Sequence, residues 1–556
     1  MIKKIDHIAI AVRDLDQASK FYTEHLGLTL EGIEEVPGQK VRVAFIPIGD
    51  TRIELVEPTS PDSPISKYLE KRGEGLHHIC LETNDVHGDV QALADSGVRL
   101  IDSSPREGAH NTQIAFVHPK ANAGVLTELA EHPSHAEKGE ALTLDYPTLR
   151  RFFESSYKPR EQWQLGVEYE LSGIKAINMA PLTFYGEHEI EGLMKFFREK
   201  YGEENATWEN GFCFGMDLPY GQLTLEPGGQ IEFSSKPLAC LHKIDSSFQL
   251  FLKDLETFGK PKGIRYYTAG VNPFHAREEM SWSPKPRYKI MRAYLGENSK
   301  YGHYMMQQTM SLQYNIDFSD HTDAIRKYQA SRLLQPTLLF LSSNSKIYNG
   351  EPRETDFRGE IWEGMDPTRS GIPPEIKHVD EYIDYALDVP MFFIKRQDEW
   401  LPAENGLTFR EFLRRGFKGH KAVYGDWELH LSTLFPEVRF KKNALELRMF
   451  DSNKPEILLA FTALIKAIFY NKNRTETQDH LDPILEGTWN ADWESCEKAY
   501  QLALEGIEEG EAHYLNPLKE LIEQRQTPGD LTKAFFEEHN NSKEKLLERL
   551  EIKTNS

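Results

Sequence analysis

An α+β protein built from two unlike parts is what the sequence predicts, and three observations carry that prediction. A strand–helix–strand pattern occurs twice within residues 1–133. Farther on, strand-like stretches carry carboxylates at period two on either side of a Pro-Gly-Gly turn, as an antiparallel hairpin would. Amphipathic helical patterns, such as residues 187–201 with Ile190, Leu193, Met194 and Phe197 on one side, lie around those strands.

At 556 residues the chain is too long for a single core. A formal net charge of −22 argues against nucleic acid or an anionic membrane surface as partner. Cys80, Cys213, Cys240 and Cys496 are scattered with no C-x-x-C spacing, which points to a reducing cytosol without a disulfide framework. No apolar run of signal length opens the chain and no stretch of 18 apolar residues occurs, so a cytoplasmic location is expected. Small molecules are the expected partners, and the oligomeric state stays open.

Residues 6–12, 15–25 and 51–57 read as strand, helix and closing strand; residues 77–83, 86–96 and 124–130 repeat the series. The interval from His7 to Glu54 nearly equals that from His78 to Glu128. A lone histidine at a strand start is usually structural. One His and one Glu offered in register by each βαβββ module suggest a pseudo-twofold site for one divalent ion, with Co²⁺, Ni²⁺, Mn²⁺, Fe²⁺ and Zn²⁺ all suited to imidazole plus carboxylate. The pattern resembles the vicinal oxygen chelate (glyoxalase-like) superfamily. Gly75-Leu76-His77-His78-Ile79, Ala44-Phe45-Ile46-Pro47-Ile48-Gly49-Asp50 and Val125-Leu126-Thr127-Glu128-Leu129 look like methylmalonyl-CoA epimerase. Carried onto this chain, the resemblance makes His7, Glu54, His78 and Glu128 the metal ligands and a CoA thioester the substrate. The family's Pro-Glu-Gln loop, whose Glu is taken as a catalytic base, reads Pro37-Gly38-Gln39 here, with Glu34 and Glu35 nearby. Glyoxalase I shares the ligand set, but its closing strand follows a D-P-D-G turn; this one follows His118–Gly124, which favours the epimerase branch.

Residues 134–145 form a short polar linker with Gly, and residues 146–556 make the second domain. Gly166-Val167-Glu168-Tyr169-Glu170-Leu171 reads as a strand with two acids on one face. Leu225-Glu226-Pro227-Gly228-Gly229-Gln230-Ile231-Glu232-Phe233-Ser234 reads as strand, turn, strand, with Gln230 and Glu232 on one face. Solvent-facing strands alternate in the same way, but four acids on strands are unusual, because strands disfavour Glu and a buried carboxylate is costly unless paired or metal-bound. Hard cations, Mg²⁺ above all, take such ligands together with nucleotide phosphates. In residues 309–317 Gln313 and Asn315 alternate with apolar side chains, and Leu445-Glu446-Leu447-Arg448 is another acid strand. Residues 244–258, 457–470, 493–508 and 518–524 read as helices, and residues 533–550 as a charged, solvated C-terminal helix.

These stretches resemble the plant and proteobacterial glutamate–cysteine ligases, whose hallmarks are G-x-E-x-E, L-E-P-G-G-Q-x-E-x-S, P-K-x-R-Y-K-I-M, R-x-x-I-W and L-E-M-R. The resemblance implies a glutamine synthetase-like antiparallel sheet with surrounding helices. It implies ATP and Mg²⁺ as cofactors, with Glu168, Glu170, Glu226, Glu232 and Glu446 on the metal. Gln313, Asn315 and Trp362 would serve the cofactor site, Arg287 would be an arginine supplied to the catalytic site, Arg448 would meet phosphate or carboxylate, and Arg358 would clamp the α-carboxylate of glutamate. The implied reaction joins glutamate to cysteine, or to another amine, through a γ-glutamyl phosphate. Residues 449–455 depart from the small residues and Gly of the plant pattern, which leaves the acceptor open. Two alternatives are a chain that is primarily an isomerase and a metal-binding module that regulates the ligase.

Overall fold

The computed structural model describes residues 2–553, apart from 31, 37–39, 49–50, 84–85, 103, 108–111, 132–143, 398 and 472–479. The Pro37-Gly38-Gln39 loop and most of the expected linker lie outside the described residues. The chain divides into two compact units, Met1–Glu140 and Ala141–Ser556.

The first unit is one mixed sheet of eight strands: β1 (Ile2–Ala11), β2 (Gly32–Val36), β3 (Val41–Ile48), β4 (Thr51–Pro58), β5 (Gly75–Thr83), β6 (Arg106–Glu107), β7 (Gln113–Val117) and β8 (Thr127–Glu131). Their order, β2-β3-β4-β1-β5-β8-β7-β6, reads as the same module twice, joined back to back. β1 and β5 pair antiparallel at the centre, and β4 and β8 run parallel to them. That arrangement carries both histidines and both closing-strand acids to the middle of the sheet. The first expected helix is a short α-helix, Leu15–Lys20, that widens into a π turn at Phe21–His25. The Thr23 hydroxyl takes the Ser19 carbonyl at 3.1 Å, a side-chain bond that competes with the helix ladder.

The second unit is organised by an antiparallel sheet: β9 (Leu165–Lys175), β10 (Ala206–Glu209), β11 (Phe212–Leu218), β12 (Gly221–Leu225), β13 (Ile231–Ser235), β14 (Ile264–Tyr267), β15 (Ser311–Ile316), β16 (Val438–Lys441) and β17 (Ala444–Asp451). The strand order is β10-β11-β12-β13-β9-β15-β17-β16, with β14 paired to the far end of β9. Val167, Tyr169, Leu171, Ile231, Phe233, Leu312 and Tyr314 fill the core on one face, against the helices Leu241–Gly259 and Pro455–Phe469. Period-two alternation then puts Glu168, Glu170, Glu232 and Gln313 on the other face. Register finishes the placement: Glu170 stands opposite Glu232, Glu168 opposite Gln313, and Glu446 opposite both Asn315 and Arg439.

Glu226 sits at the turn between β12 and β13. Gly229 adopts φ 85°, the left-handed region that glycine tolerates. Gly228 is needed for a different reason, because a Cβ there would lie 2.5 Å from the Gln307 carbonyl oxygen. Gln230 is buried, lines the same cavity as Glu232 and also braces this turn. It accepts from Gly228 N at 2.9 Å and donates to the Thr309 carbonyl at 2.9 Å.

The single solvated C-terminal helix expected over residues 533–550 is instead two, Pro528–Glu538 and Lys543–Leu550, broken where Asn540 and Asn541 take positive φ. Phe536, Leu546, Leu547 and Leu550 are buried with Tyr267 and Phe274, so this end packs against the unit rather than standing in solvent. Among the described residues no helix is long and apolar enough to cross a membrane.

Gly228→Ala should lower the stability of the larger unit by about 1–3 kcal/mol through overpacking. The control is Gly425→Ala, whose Cβ meets nothing within 4 Å. Equal denaturation midpoints for the two variants would count against the close approach at Gly228.

Two candidate functional sites

The acid face of the larger sheet opens into a cavity of about 250 Å³. Glu168, Glu170, Glu226 and Glu232 line it from one set of strands, and Arg287, Arg439, Lys441 and Arg448 from other elements. Glu170, Glu226 and Glu232 are held by neutral or backbone donors. Glu170 accepts from Ser311 N at 2.7 Å and from Gln313 Nε2 at 3.2 Å; Glu232 accepts from Thr224 Oγ1 at 2.7 Å; Glu226 accepts from the Tyr288 hydroxyl at 3.4 Å. Only Glu168 has a cation on it, Lys441 Nζ at 2.5 Å, with Asn315 Nδ2 donating to the same oxygen at 2.9 Å. Among the described residues, no Lys or Arg forms an ion pair with Glu170, Glu226 or Glu232.

That imbalance shows in their proton affinities. Burial and the Glu226 charge push Glu170 up to about 8. Burial, then Glu168, Glu226 and Glu170, raises Glu232 well above the usual carboxylate range. The donor set therefore fits a hard divalent cation. No three of these acids bring oxygens within 4.8 Å of one another, so one or two carboxylates would hold an ion, with phosphate or water completing its shell, as is usual for Mg²⁺.

The cationic wall is unevenly committed. Burial alone would raise Glu446, yet Arg439, Lys441 and Arg448 hold its carboxyl well below the ordinary range. Lys441 Nζ is 3.2 Å from it and Arg448 Nη1 2.9 Å. Arg448 also donates to Gln313 Oε1. Arg287 and Arg448 each keep a buried Nε–H with no hydrogen-bond partner, which leaves donors for an anion. Trp362, Met291, Met305, Met306, Phe393 and Phe435 form apolar walls.

Three expectations are corrected here. Arg358 does not reach the cavity. Its guanidinium is buried beneath β17, donating to the carbonyls of Arg448 at 2.9 Å and Met449 at 3.2 Å and facing Asp451 at 3.4 Å, so it anchors the strand that bears Arg448. Glu446 faces Arg439, Lys441 and Arg448 behind the cavity and is not among the residues that line it. Asn315 does not line it either; it positions Glu168. Arg439, Lys441, Tyr288, Thr309, Ser311, Ser432 and Thr433 line the cavity without having been singled out. Arg439 and Lys441 had a signal, basic residues at period two between buried Val438 and Phe440 on β16.

In the smaller unit His7 Nε2 and His78 Nε2 are 3.2 Å apart, and Glu128 Oε2 lies 3.3 Å from the first and 2.7 Å from the second. These three side chains form one of two sets, among the described residues, compact enough to hold an ion; the other is Asp6, His7 and Cys80. Burial alone would lower His7, but Asp6, Cys80, Glu128 and Glu54 raise it well above the ordinary histidine value, the mark of a site prepared for positive charge. Glu54 approaches the other ring nitrogen, with Oε1 3.3 Å from His7 Nδ1. The site forms one end of a chamber of about 610 Å³ lined by Val41, Val43, Ile114, Phe116 and Leu126, together with Lys40, Arg52 and Arg106.

Comparison with known proteins divides along the same line. Residues 164–508 match the family model described as Glutamate-cysteine ligase family 2 (GCS2), and residues 6–116 match Glyoxalase/Bleomycin resistance protein/Dioxygenase superfamily. The chloroplastic glutamate–cysteine ligase of Brassica juncea is 33% identical over 371 residues, 65% of this chain and 70% of that one. Its counterpart from Arabidopsis thaliana is 33% identical over 65% and 68%. Among solved structures, a methylmalonyl-CoA epimerase from Streptomyces coelicolor is 40% identical over 24% of this chain and 97% of that chain, with a TM-score of 0.24.

The unpaired acids give a stability prediction. A carboxyl whose folded pKa lies above its unfolded value contributes stability at low pH and loses it as pH rises through the folded value. For Glu170 that window runs from roughly pH 4.3 unfolded to about 8 folded. In chelator, the larger unit's melting temperature should fall between pH 6 and pH 8 by more in the wild type than in Glu232→Gln. Mg²⁺ should restore the wild type and do little for the variant. Identical pH profiles for the two proteins would sink this account.

Proposed function

The chain belongs to glutamate–cysteine ligase family 2, joined to a glyoxalase-superfamily unit at its N-terminal end, and from that premise we propose that the larger unit joins the γ-carboxylate of glutamate to the amine of cysteine at the expense of ATP. Divalent metal, here assigned as Mg²⁺, neutralises the triphosphate when bound. One or two of Glu168, Glu170, Glu226 and Glu232 would hold each ion. Arg287 and Arg448, whose buried Nε–H groups lack protein partners, take phosphate or carboxylate oxygens of the substrates. Gln313 braces Arg448, Lys441 and Asn315 brace Glu168, and Glu446 fixes the cationic wall from behind.

In this reading the γ-carboxylate attacks the γ-phosphorus, ADP leaves, and the amine displaces phosphate from the γ-glutamyl phosphate. The protein contributes position and charge rather than a nucleophile of its own. The apolar wall of Met291, Met305, Met306, Trp362 and Phe393 limits water around the activated acyl group, which hydrolysis would waste. The observation that carries the proposal is the convergence on one cavity of three half-buried acids without a cationic partner and two arginines with spare donors. Free cysteines and the acidic charge accord with a cytoplasmic setting and small-molecule substrates.

A second reading attaches to the smaller unit, where His7, His78 and Glu128 in an apolar chamber support one divalent ion that could stabilise the enolate oxygen of a thioester.

With Mg-ATP and glutamate, a panel of amines should release ADP fastest with cysteine. Glu170→Gln, Glu232→Gln and Arg448→Met should each lower kcat/KM by about 10²–10³, the usual loss for one preorganised electrostatic contact. His7→Ala should leave ligation unchanged and abolish any proton exchange at the α-carbon of methylmalonyl-CoA. Full ligation by Glu232→Gln would refute the assignment of the acid face.

A further inference from the structure

We infer that Arg369, which lies outside the cavity of the larger unit, is a positioning residue that keeps ATP consumption coupled to bond formation, by fixing three wall-bearing elements against one another. This rests on the reading of that unit as an ATP-dependent ligase, and it concerns which nucleophile reaches the acyl phosphate, the amine or water.

Arg369 is fully buried, and its guanidinium meets four segments of chain. Nε donates to Asp366 Oδ2 at 2.7 Å and Nη1 to the Thr433 carbonyl at 3.3 Å. Nη2 donates to the Pro390 carbonyl at 2.6 Å and reaches the Tyr294 hydroxyl at 3.4 Å. The guanidinium carbon lies 3.9 Å from the centre of the Phe392 ring and 5.1 Å from that of Tyr294. The Arg369 carbonyl accepts from Phe435 N at 2.6 Å, and Ser370 and Gly371 pair in parallel with Phe435 and Pro436. Three of these segments carry cavity walls. The helix Pro286–Asn298, which holds Tyr294, presents Arg287 and Met291; residues 390–393 present Phe393; residues 432–435 present Thr433 and Phe435. Arg369 itself is not among the lining residues. A planar fork of donors that also stacks on a ring serves several carbonyls at once, which an ammonium cannot do.

The segment 432–435 is gripped from both sides. Arg439 Nη1 donates to the Ser432 carbonyl at 3.3 Å and to the Leu434 carbonyl at 2.5 Å, and Arg369 takes the Thr433 carbonyl between them. The amides of Ser432, Thr433 and Leu434 donate to the carbonyls of Glu428, His430 and Leu431. Every backbone donor and acceptor from Ser432 to Leu434 is therefore spent. Phe392 lies 6.2 Å from Phe393 and 6.4 Å from Phe435, ring centre to ring centre, and the Arg448 guanidinium stands 6.0 Å from the Phe435 ring. A line of rings thus runs from Arg369 to Arg448, whose Nε–H has no protein partner. The chemistry makes this wall consequential. Attack of the amine on γ-glutamyl phosphate forms a C–N bond, expels phosphate and releases one proton from nitrogen. Attack of water forms a C–O bond, expels the same phosphate and returns glutamate. Each route consumes one ATP, so the outcome depends on placement of the acyl group and exclusion of water. Loosening the hub frees Phe393 and Phe435 together and lets water compete.

The test uses the full-length protein with Mg-ATP, glutamate and cysteine, counting ADP and dipeptide in the same reaction well below the melting temperature. Wild type should release one ADP per dipeptide. Arg369→Lys keeps the charge beside Asp366 but loses the fork. It should lower dipeptide formation by about 10²-fold, the scale of a misplacement of about 1 Å, and ADP release by less, so the ratio rises. Phe392→Leu removes the stacked ring without touching the cavity lining and should raise the ratio as well. Leu464→Ala, in the buried core helix Pro455–Phe469, should lower the melting temperature and leave the ratio at one, because unfolded protein performs neither reaction. A ratio of one in Arg369→Lys, or in Phe392→Leu should Arg369→Lys fail to fold, would overturn the coupling role alone, and so would a raised ratio in Leu464→Ala. A wild type that neither releases ADP nor forms dipeptide would overturn the ligase reading itself.

Discussion

Glu170 and Glu232 face each other across two antiparallel strands with no cation between them. Carboxylates held close together and half-buried in this way are normally neutralised, paired or bound to metal. Strand register forces them together: the apolar set Val167, Tyr169, Leu171, Ile231 and Phe233 must fill the core, so the intervening residues must share the opposite face. Slipping either strand by one residue would bury the acids in the core and expose the aromatics. The core therefore holds in place a cluster of charge that is unfavourable by itself. Such a cluster suits a cation, and burial with the Glu226 charge raises the proton affinity of Glu170.

The cationic side is built on the opposite logic. Arg439, Lys441 and Arg448 surround Glu446, and that arrangement is nearly self-sufficient. Its function is to make a rigid positive wall from side chains that would otherwise be flexible, leaving Arg448 with one donor unspent. Arg358 extends the same construction one layer down, gripping the backbone of β17 rather than a substrate. A site that combines acids lacking a cationic partner with arginines that keep a spare donor is suited to a metal–polyphosphate complex, which presents positive charge to one wall and negative charge to the other.

Much of this was legible in the chain. Period-two acids at Glu168, Glu170 and Glu232, the Pro227-Gly228-Gly229 turn and the two βαβββ repeats name their own elements, because alternation is a local property. What failed was pairing between distant segments. Arg358 and Arg448 are both arginines beside apolar residues; only packing decides that one lies under a strand and the other on a cavity. Glu446 alternates as faithfully as Glu168, yet β16 supplies it with Arg439, and no periodicity shows which strand will be its neighbour. The C-terminal helices were misjudged because Lys and Glu dominate the count, while the apolar residues at 546, 547 and 550 decide the burial.

The two units answer the same physical problem in different ways. In the smaller one, every acid near the ion has a partner within hydrogen-bonding reach: Asp6 on His7 and Arg52, Glu54 on Arg52, Glu128 on His78. Such a site is preorganised, and its selectivity rests on imidazole, which favours transition metals. In the larger one Glu170, Glu226 and Glu232 have no cationic partner among the described residues, and all-oxygen donors face the cavity from that wall. That site discriminates poorly by ligand type but strongly by what the ion brings with it, since a bare cation leaves Arg287 and Arg448 without an anion and a bare nucleotide meets the acids head on. The smaller unit thus carries its compensating charge on neighbouring side chains, whereas the larger leaves three acids without a cation, and this difference follows from where each chain segment places its compensating charge.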